Sequence, residues 1–157
     1  MNKFQLKNFF KTAYDLMLVF LQFFIISLHF IQWEFLPQKQ IIQASTFSYY
    51  LGILIIINAS IIMLVSIKDL GRNLSPFPRP INKSNLVTTG IYRFTRHPMY
   101  YSLIFISIGV FIIKLSIYYI FLTISLALII KFKIALEEKY LMNKFKNYLR
   151  YKNDVKV

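Results

Sequence analysis

The chain contains no cysteine, so no disulfide framework, thiolate metal site or cysteine nucleophile is open to it. Histidine is almost as scarce. The two present, His29 and His97, are far apart and form no cluster with metal-ligand spacing. Glycine occurs four times, which leaves no glycine-rich strand-to-helix turn of the kind soluble nucleotide-binding folds use. Acidic residues are few as well: six Asp and Glu stand against 19 Lys and Arg, for a net charge of +13, and charged residues are only 16% of the whole. What fills the chain instead is apolar. Of 157 residues, 57% are hydrophobic and 18% aromatic, far more than a soluble domain of this size can hide. The composition predicts a small integral membrane protein. Basic residues beside apolar spans mark cytoplasmic faces, so the excess of positive charge is read that way and no nucleic-acid partner is expected.

Four crossings are predicted for a single domain over residues 1–157. The first, 16–33, is free of charge and gives about 27 Å of helix. Lys3, Lys7 and Lys11 precede it, but no small-residue cleavage site follows, so it is read as an uncleaved anchor. The second, 47–67, gives about 31 Å. The apolar run 98–130 would make one helix of about 50 Å, too long for a hydrocarbon layer of about 30 Å, and would bury Lys114 at its centre. A hairpin turning near Lys114, Leu115 and Ser116 resolves both problems and predicts helices over 98–113 and 115–136. With both termini cytoplasmic, 17 of the 19 Lys and Arg fall on the inner side, leaving only Lys39 and Lys114 outside.

Between the second and third helices, Pro76, Pro78 and Pro80 exclude regular helix and predict a stiff cytoplasmic loop over 70–90. The tail 137–157 places Leu141, Phe145 and Tyr148 on one helical face with lysines and arginines elsewhere, which predicts a basic amphipathic helix lying on the membrane surface. Asp15 is expected to pair with a loop arginine. His29 reads as an interfacial side chain, and Asn58, Ser60 and Ser66 as donors of interhelical hydrogen bonds.

Three segments carry chemistry: LGRNLSPFPRP from residue 70, LVTTGIYRFTRHPMYYS ending at Ser102, and EEKYL from Glu137 with Phe145, Tyr148 and Tyr151 trailing. Over about residues 70–151 the chain resembles the isoprenylcysteine carboxyl methyltransferases and phospholipid methyltransferases, small integral membrane enzymes. In that family an Arg-His-Pro-x-Tyr-x-Gly motif and a downstream Glu-Glu pair form the site for S-adenosylmethionine. The resemblance assigns Arg96, His97, Pro98, Tyr100, Ser102, Glu137 and Glu138 to that cofactor, with His97 and Glu138 as catalytic candidates. It implies methyl transfer to an amine, carboxylate or thiol on a membrane lipid or other apolar acceptor.

The residues support this on chemical grounds. S-adenosylmethionine carries a carboxylate, an ammonium and a sulfonium, so its site needs both signs of charge close together. Arg96 suits the carboxylate, because a guanidinium can donate two parallel hydrogen bonds to it. Adjacent helical residues point about 100° apart, so Glu137 and Glu138 are expected to divide their work, one toward the ligand and one in support. Without the resemblance, Arg96 and His97 would read as interfacial residues, and the two glutamates as neutralising Lys133, Lys139 or Lys144 on a solvated face.

The chain departs from the family at two points. Ser102 stands where the motif has glycine, and the stretch after Tyr151 is short, so the cover over the cofactor is expected to be incomplete. NADPH-dependent sterol-type reductases share the Arg-His-Pro pattern and are the rival enzyme class; a non-catalytic membrane protein is the third reading.

Overall fold

A computed structural model describes residues 3–31, 41 and 45–155, with side chains from residue 12 onward. Trp33 and Lys39, which figured in the expected first crossing and its outer loop, lie outside the described residues. All regular elements described are helical: α1 (Lys3–Leu28), α2 (Thr46–Leu70), α3 (Pro98–Lys114), α4 (Ile117–Lys144) and α5 (Tyr148–Asp154), with single 3-10 turns at Gly71–Asn73 and Gly90–Arg93.

Two helical segments, Thr46–Asn73 and Ile117–Lys144, are long and apolar enough to cross a membrane, with mean hydropathies of 2.4 and 2.0 over their most apolar stretches. Two shorter apolar helices, Thr12–Leu28 and Pro98–Lys114, accompany them. The outer surface is apolar: Phe20 and Phe121 are each 68% exposed and Leu64 66%, while Gln22, Ser66, Ser102, Ser107 and Lys133 are buried. This inverts the order a water-soluble bundle needs and suits an apolar surround.

The hairpin turns where Lys114 ends α3. Leu115 takes the left-handed conformation (φ 44°) and the Ser116 side chain accepts a bond from the Tyr118 N–H, capping α4. Helices α2 and α3 approach closely through two glycines. A Cβ on Gly52 would lie 2.7 Å from the Gly109 carbonyl oxygen, and one on Gly109 would lie 2.9 Å from that of Gly52. Ile25 of α1 packs with Tyr119, Leu122, Leu126 and Ile130 of α4 to form the core.

His29, half-buried just past the end of α1, is held in place: its Nδ1 donates to the Ile25 carbonyl (2.9 Å), and its Nε2 meets the Ser107 hydroxyl (2.7 Å), itself 2.8 Å from that of Thr123. The expectation of interhelical bonds from α2 is corrected: among the described residues, Asn58 and Ser66 do not bond between helices. Asn58 Nδ2 donates to Leu54 O (2.8 Å) and the Ser66 hydroxyl to Ile62 O (2.6 Å), because the carbonyl one turn back is already within reach of a short side chain. Ser60 makes no interhelical hydrogen bond among the described residues.

The tail also differs from expectation. Residues 137–144, rich in good helix formers, continue α4 rather than starting a separate interfacial helix, and the break comes at Phe145 (φ −115°, ψ 114°). The chain then folds back, and α5 buries Tyr148 and Tyr151. Each aromatic so buried contributes roughly 1.5–3 kcal/mol, more than a few continued helical residues would.

The loop after α2 is pinned from several sides. Arg79 pairs with Asp15 at 2.9 Å, and the Tyr140 hydroxyl donates to the same carboxylate (3.1 Å). Lys144 donates to the carbonyls of Ile81 and Asn82 and to the Ser84 hydroxyl (2.7 Å). At the loop's end the Ile91 N–H donates to Asp69 Oδ2 (2.8 Å). Gly90 permits this contact: its φ is +62°, and a Cβ there would fall 2.0 Å from that same oxygen. The loop is thereby delivered to the start of α3 with Tyr92, Arg96 and His97 turned inward.

Candidate active site

Pro98 opens α3 at its first turn, where its missing N–H costs nothing and its fixed φ suits the helix. Arg96 and His97 therefore sit just outside the helix, buried (8% and 3% exposed), beside the end of α4 that carries Glu137 and Glu138. Glu138 is the point of convergence. Its Oε1 accepts from Arg96 Nε (3.0 Å) and Nη2 (2.7 Å), with His97 Nε2 at 3.4 Å, while its Oε2 accepts from Lys152 Nζ (2.6 Å). The remaining guanidinium nitrogen, Nη1, donates to the carbonyls of Lys152 and Val155. The fork of Arg96 thus rests on the protein's own carboxylate and on the returning tail.

Glu137 has a different environment. One oxygen accepts from the Tyr100 hydroxyl (2.7 Å); the other makes no hydrogen bond among the described residues. Tyr100 lies beside His97, ring centroids 5.8 Å apart. The 100° between neighbouring helical positions separates the two glutamates as expected. Ser102, buried, donates its hydroxyl to the Pro98 carbonyl (2.9 Å) and lines neither of the cavities described next.

Two cavities share the wall formed by Tyr92, Arg96 and Glu137. One, of about 80 Å³, is enclosed by the Pro-rich loop, the end of α4 and Tyr148 and Tyr151 of α5. The other, of about 330 Å³, runs between α1, α2, α3 and α4, and is walled mainly by apolar residues such as Phe23, Ile26, Met63 and Leu103. Small-molecule sites are usually about 300–1,000 Å³. The larger cavity is in that range, whereas the smaller one lies below it.

The smaller cavity has groups left for a ligand. Tyr148 is fully buried, and its hydroxyl makes no hydrogen bond among the described residues. Burial pushes the Tyr151 hydroxyl up to about 12 and raises those of Tyr92 and Tyr148 further, so all three stay neutral donors near neutral pH. The Tyr151 hydroxyl donates to the Tyr92 carbonyl (2.5 Å), tying α5 to the loop. The tail itself reaches Arg96 through the carbonyls of Lys152 and Val155.

Three contributors were not assigned to the site from the sequence. Lys152 neutralises Glu138 from the tail, and Lys133 and Gln22 meet in the wall of the larger cavity, where Lys133 donates to Gln22 Oε1 and to the Pro76 carbonyl (3.0 Å). The reading of Lys133 as a solvated cation is overturned, as it is 1% exposed. Its position one turn before Glu137, on the same helical face, was the available signal.

No curated protein and no solved structure matches the chain. A family model does, that of the phospholipid methyltransferases, over residues 47–148. The match runs from α2 to the first residue of α5 and takes in the whole Arg96–Glu138 cluster apart from the contribution of the tail. With well over half of its length so matched, the chain belongs to the phospholipid methyltransferase family.

Proposed function

We propose that the protein is a membrane-embedded methyltransferase that uses S-adenosylmethionine and acts on an amine, carboxylate or thiol of a lipid or other apolar acceptor. The observation that carries this reading is the pair of cavities, one lined by polar and apolar residues together and one mostly apolar, which share Arg96 and Glu137 in their common wall. A reaction between a charged donor and a lipid needs such a junction. Four crossings with both termini cytoplasmic would open the smaller cavity to the cytoplasm and the larger, mostly apolar one to the bilayer. The concentration of Lys and Arg in the inner segments supports that orientation.

The donor set fits the cofactor. Arg96 Nη1 would take its carboxylate once the tail carbonyls yield, the free oxygen of Glu137 its ammonium or ribose hydroxyls, and Tyr148 a further polar group. Pro98 and Tyr100 hold this edge of α3 in place, and Ser102 supports the helix through its bond to Pro98. When bound, the cofactor supplies a methyl group already activated on a sulfonium.

The protein's share of the work is alignment and exclusion of water. Glu138 spends both oxygens on Arg96 and Lys152, so its contribution is to fix Arg96 and orient His97. His97 lines the apolar cavity and is the group placed to accept a proton from an amine acceptor. The test is to incubate purified protein with methyl-labelled S-adenosylmethionine and a membrane lipid extract. Label should pass into the lipid fraction, and His97→Ala should abolish the transfer. No incorporation, together with lipid-dependent NADPH oxidation, would replace this reading with the reductase.

A further inference from the structure

Lys133, in the wall of the larger cavity, is left unused by the methyl-transfer chemistry. It is 1% exposed, in the wall of a cavity that is otherwise mostly apolar. Its two acceptors, Gln22 Oε1 and the Pro76 carbonyl, are both neutral. It forms no ion pair among the described residues, and its nearest aromatic neighbour, the Tyr100 ring, is 5.3 Å away and carries no charge. An ammonium has three donors, and the protein engages two. The carboxylate of Glu137, one turn on, attracts it without touching it; a cation taken out of water with no counter-ion in contact is costly, and inside a membrane protein such residues mark sites of function.

The charge has a defined place relative to the site. Lys133 and Glu137 are four residues apart on one face of α4, a separation of about 6 Å along the axis. An acceptor in the larger cavity, with its reacting atom at Glu137, would carry its next polar group beside Lys133.

We propose that Lys133 anchors an oxyanion on the head of the lipid acceptor, one helical turn from the atom that is methylated, and so selects acidic or zwitterionic lipids over neutral ones. Gln22 and Pro76 hold the ammonium in the wall, and the anion supplies a counter-charge in direct contact at the third donor. This rests on the proposed use of the larger cavity by the acceptor, but the binding itself requires no methyl donor.

The experiment therefore measures binding without one. Hexadecyl phosphate and hexadecanol are titrated into the purified protein in a neutral detergent. The parent should prefer the phosphate by roughly tenfold to a hundredfold, the value of one or two charge-assisted hydrogen bonds. Lys133→Met should abolish the preference by weakening only the phosphate, and Lys133→Arg should keep it. If Lys133→Met weakens both ligands equally, the lysine serves only to hold the loop, and the proposal fails. It fails equally if the preference survives the substitution, or if inorganic phosphate displaces hexadecyl phosphate at matching concentration, which would mark a site for free anions. Should methyl transfer itself be absent, the preference and its loss in Lys133→Met would still be measurable, so the two readings fail separately.

Discussion

Replacing Glu138 by glutamine removes the one negative charge on which Arg96, His97 and Lys152 converge, and the structure sets how much that should cost. The Arg96 and Glu138 side chains are 6% and 11% exposed, so the pair is largely out of water. Removing one partner from such a pair leaves the other charge buried and typically costs about 3–5 kcal/mol. The glutamine carbonyl can still accept one bond from Arg96, which places the expected loss near the lower end, about 3 kcal/mol. Lys152 is different: its side chain is 35% exposed, and a partly solvated pair contributes no more than about 1 kcal/mol. Glu138→Gln should therefore destabilise the protein at least threefold more, in free energy, than Lys152→Met. Because Arg96 also holds the Lys152 and Val155 carbonyls, the effect should be concentrated in α5. Equilibrium unfolding in detergent reads the total, and amide exchange at Tyr151 and Val155, whose N–H groups bond Asn147 and Tyr151, reads the location. Equal destabilisation by the two variants, or unchanged exchange in α5 of Glu138→Gln, would refute the claim that the buried Arg96–Glu138 pair holds the tail.

Other predictions follow from separate parts of the structure. Gly109→Ala should cost about 1–3 kcal/mol, because its methyl would meet Ile56 Cγ1 at 2.6 Å and the Gly52 carbonyl at 2.9 Å, and thermal unfolding checks it. Single cysteines at Ile117 and Asn85 should react with an impermeant thiol reagent from opposite sides of the membrane; labelling of both from one side would remove the hairpin crossing. Ser102→Gly should leave S-adenosylmethionine affinity unchanged within about twofold, since the hydroxyl is satisfied by Pro98 and reaches neither cavity.

What could be read from the sequence, and what could not, divides along physical lines. The turn at Lys114–Ser116 was legible because it follows from length and charge: no single helix fits the apolar run, and a lysine belongs at its outer end. The pairing of Asp15 with a loop arginine, found at Arg79, was legible for a similar reason, as a carboxylate at the edge of an apolar stretch facing a basic loop needs a cation. The return of the tail was not. From Leu141 to Tyr148 the pattern suits a continuous surface helix, and the break at Phe145 arises only because Tyr148 and Tyr151 find burial against the Tyr92 segment, 59 residues earlier in the case of the Tyr151–Tyr92 bond. That Glu137 and Glu138 differ in role follows from helix geometry, but which one faces the cavities depends on the rotation of α4 against α3, set by packing along its whole length. The burial of Lys133 was hidden in the same way: among eight basic residues after residue 130, only the fold distinguishes the one turned inward.

The central claim is that Arg96 and Glu137, in the wall shared by the two cavities, hold a sulfonium cofactor. Equilibrium binding of S-adenosylmethionine to the purified protein tests it most directly. The account predicts saturable binding, absent for NADPH, that Arg96→Ala and Glu137→Gln each weaken by roughly tenfold to a hundredfold while the protein remains folded and inserted. Binding of NADPH in its place, or undiminished binding of S-adenosylmethionine by both variants, would contradict it.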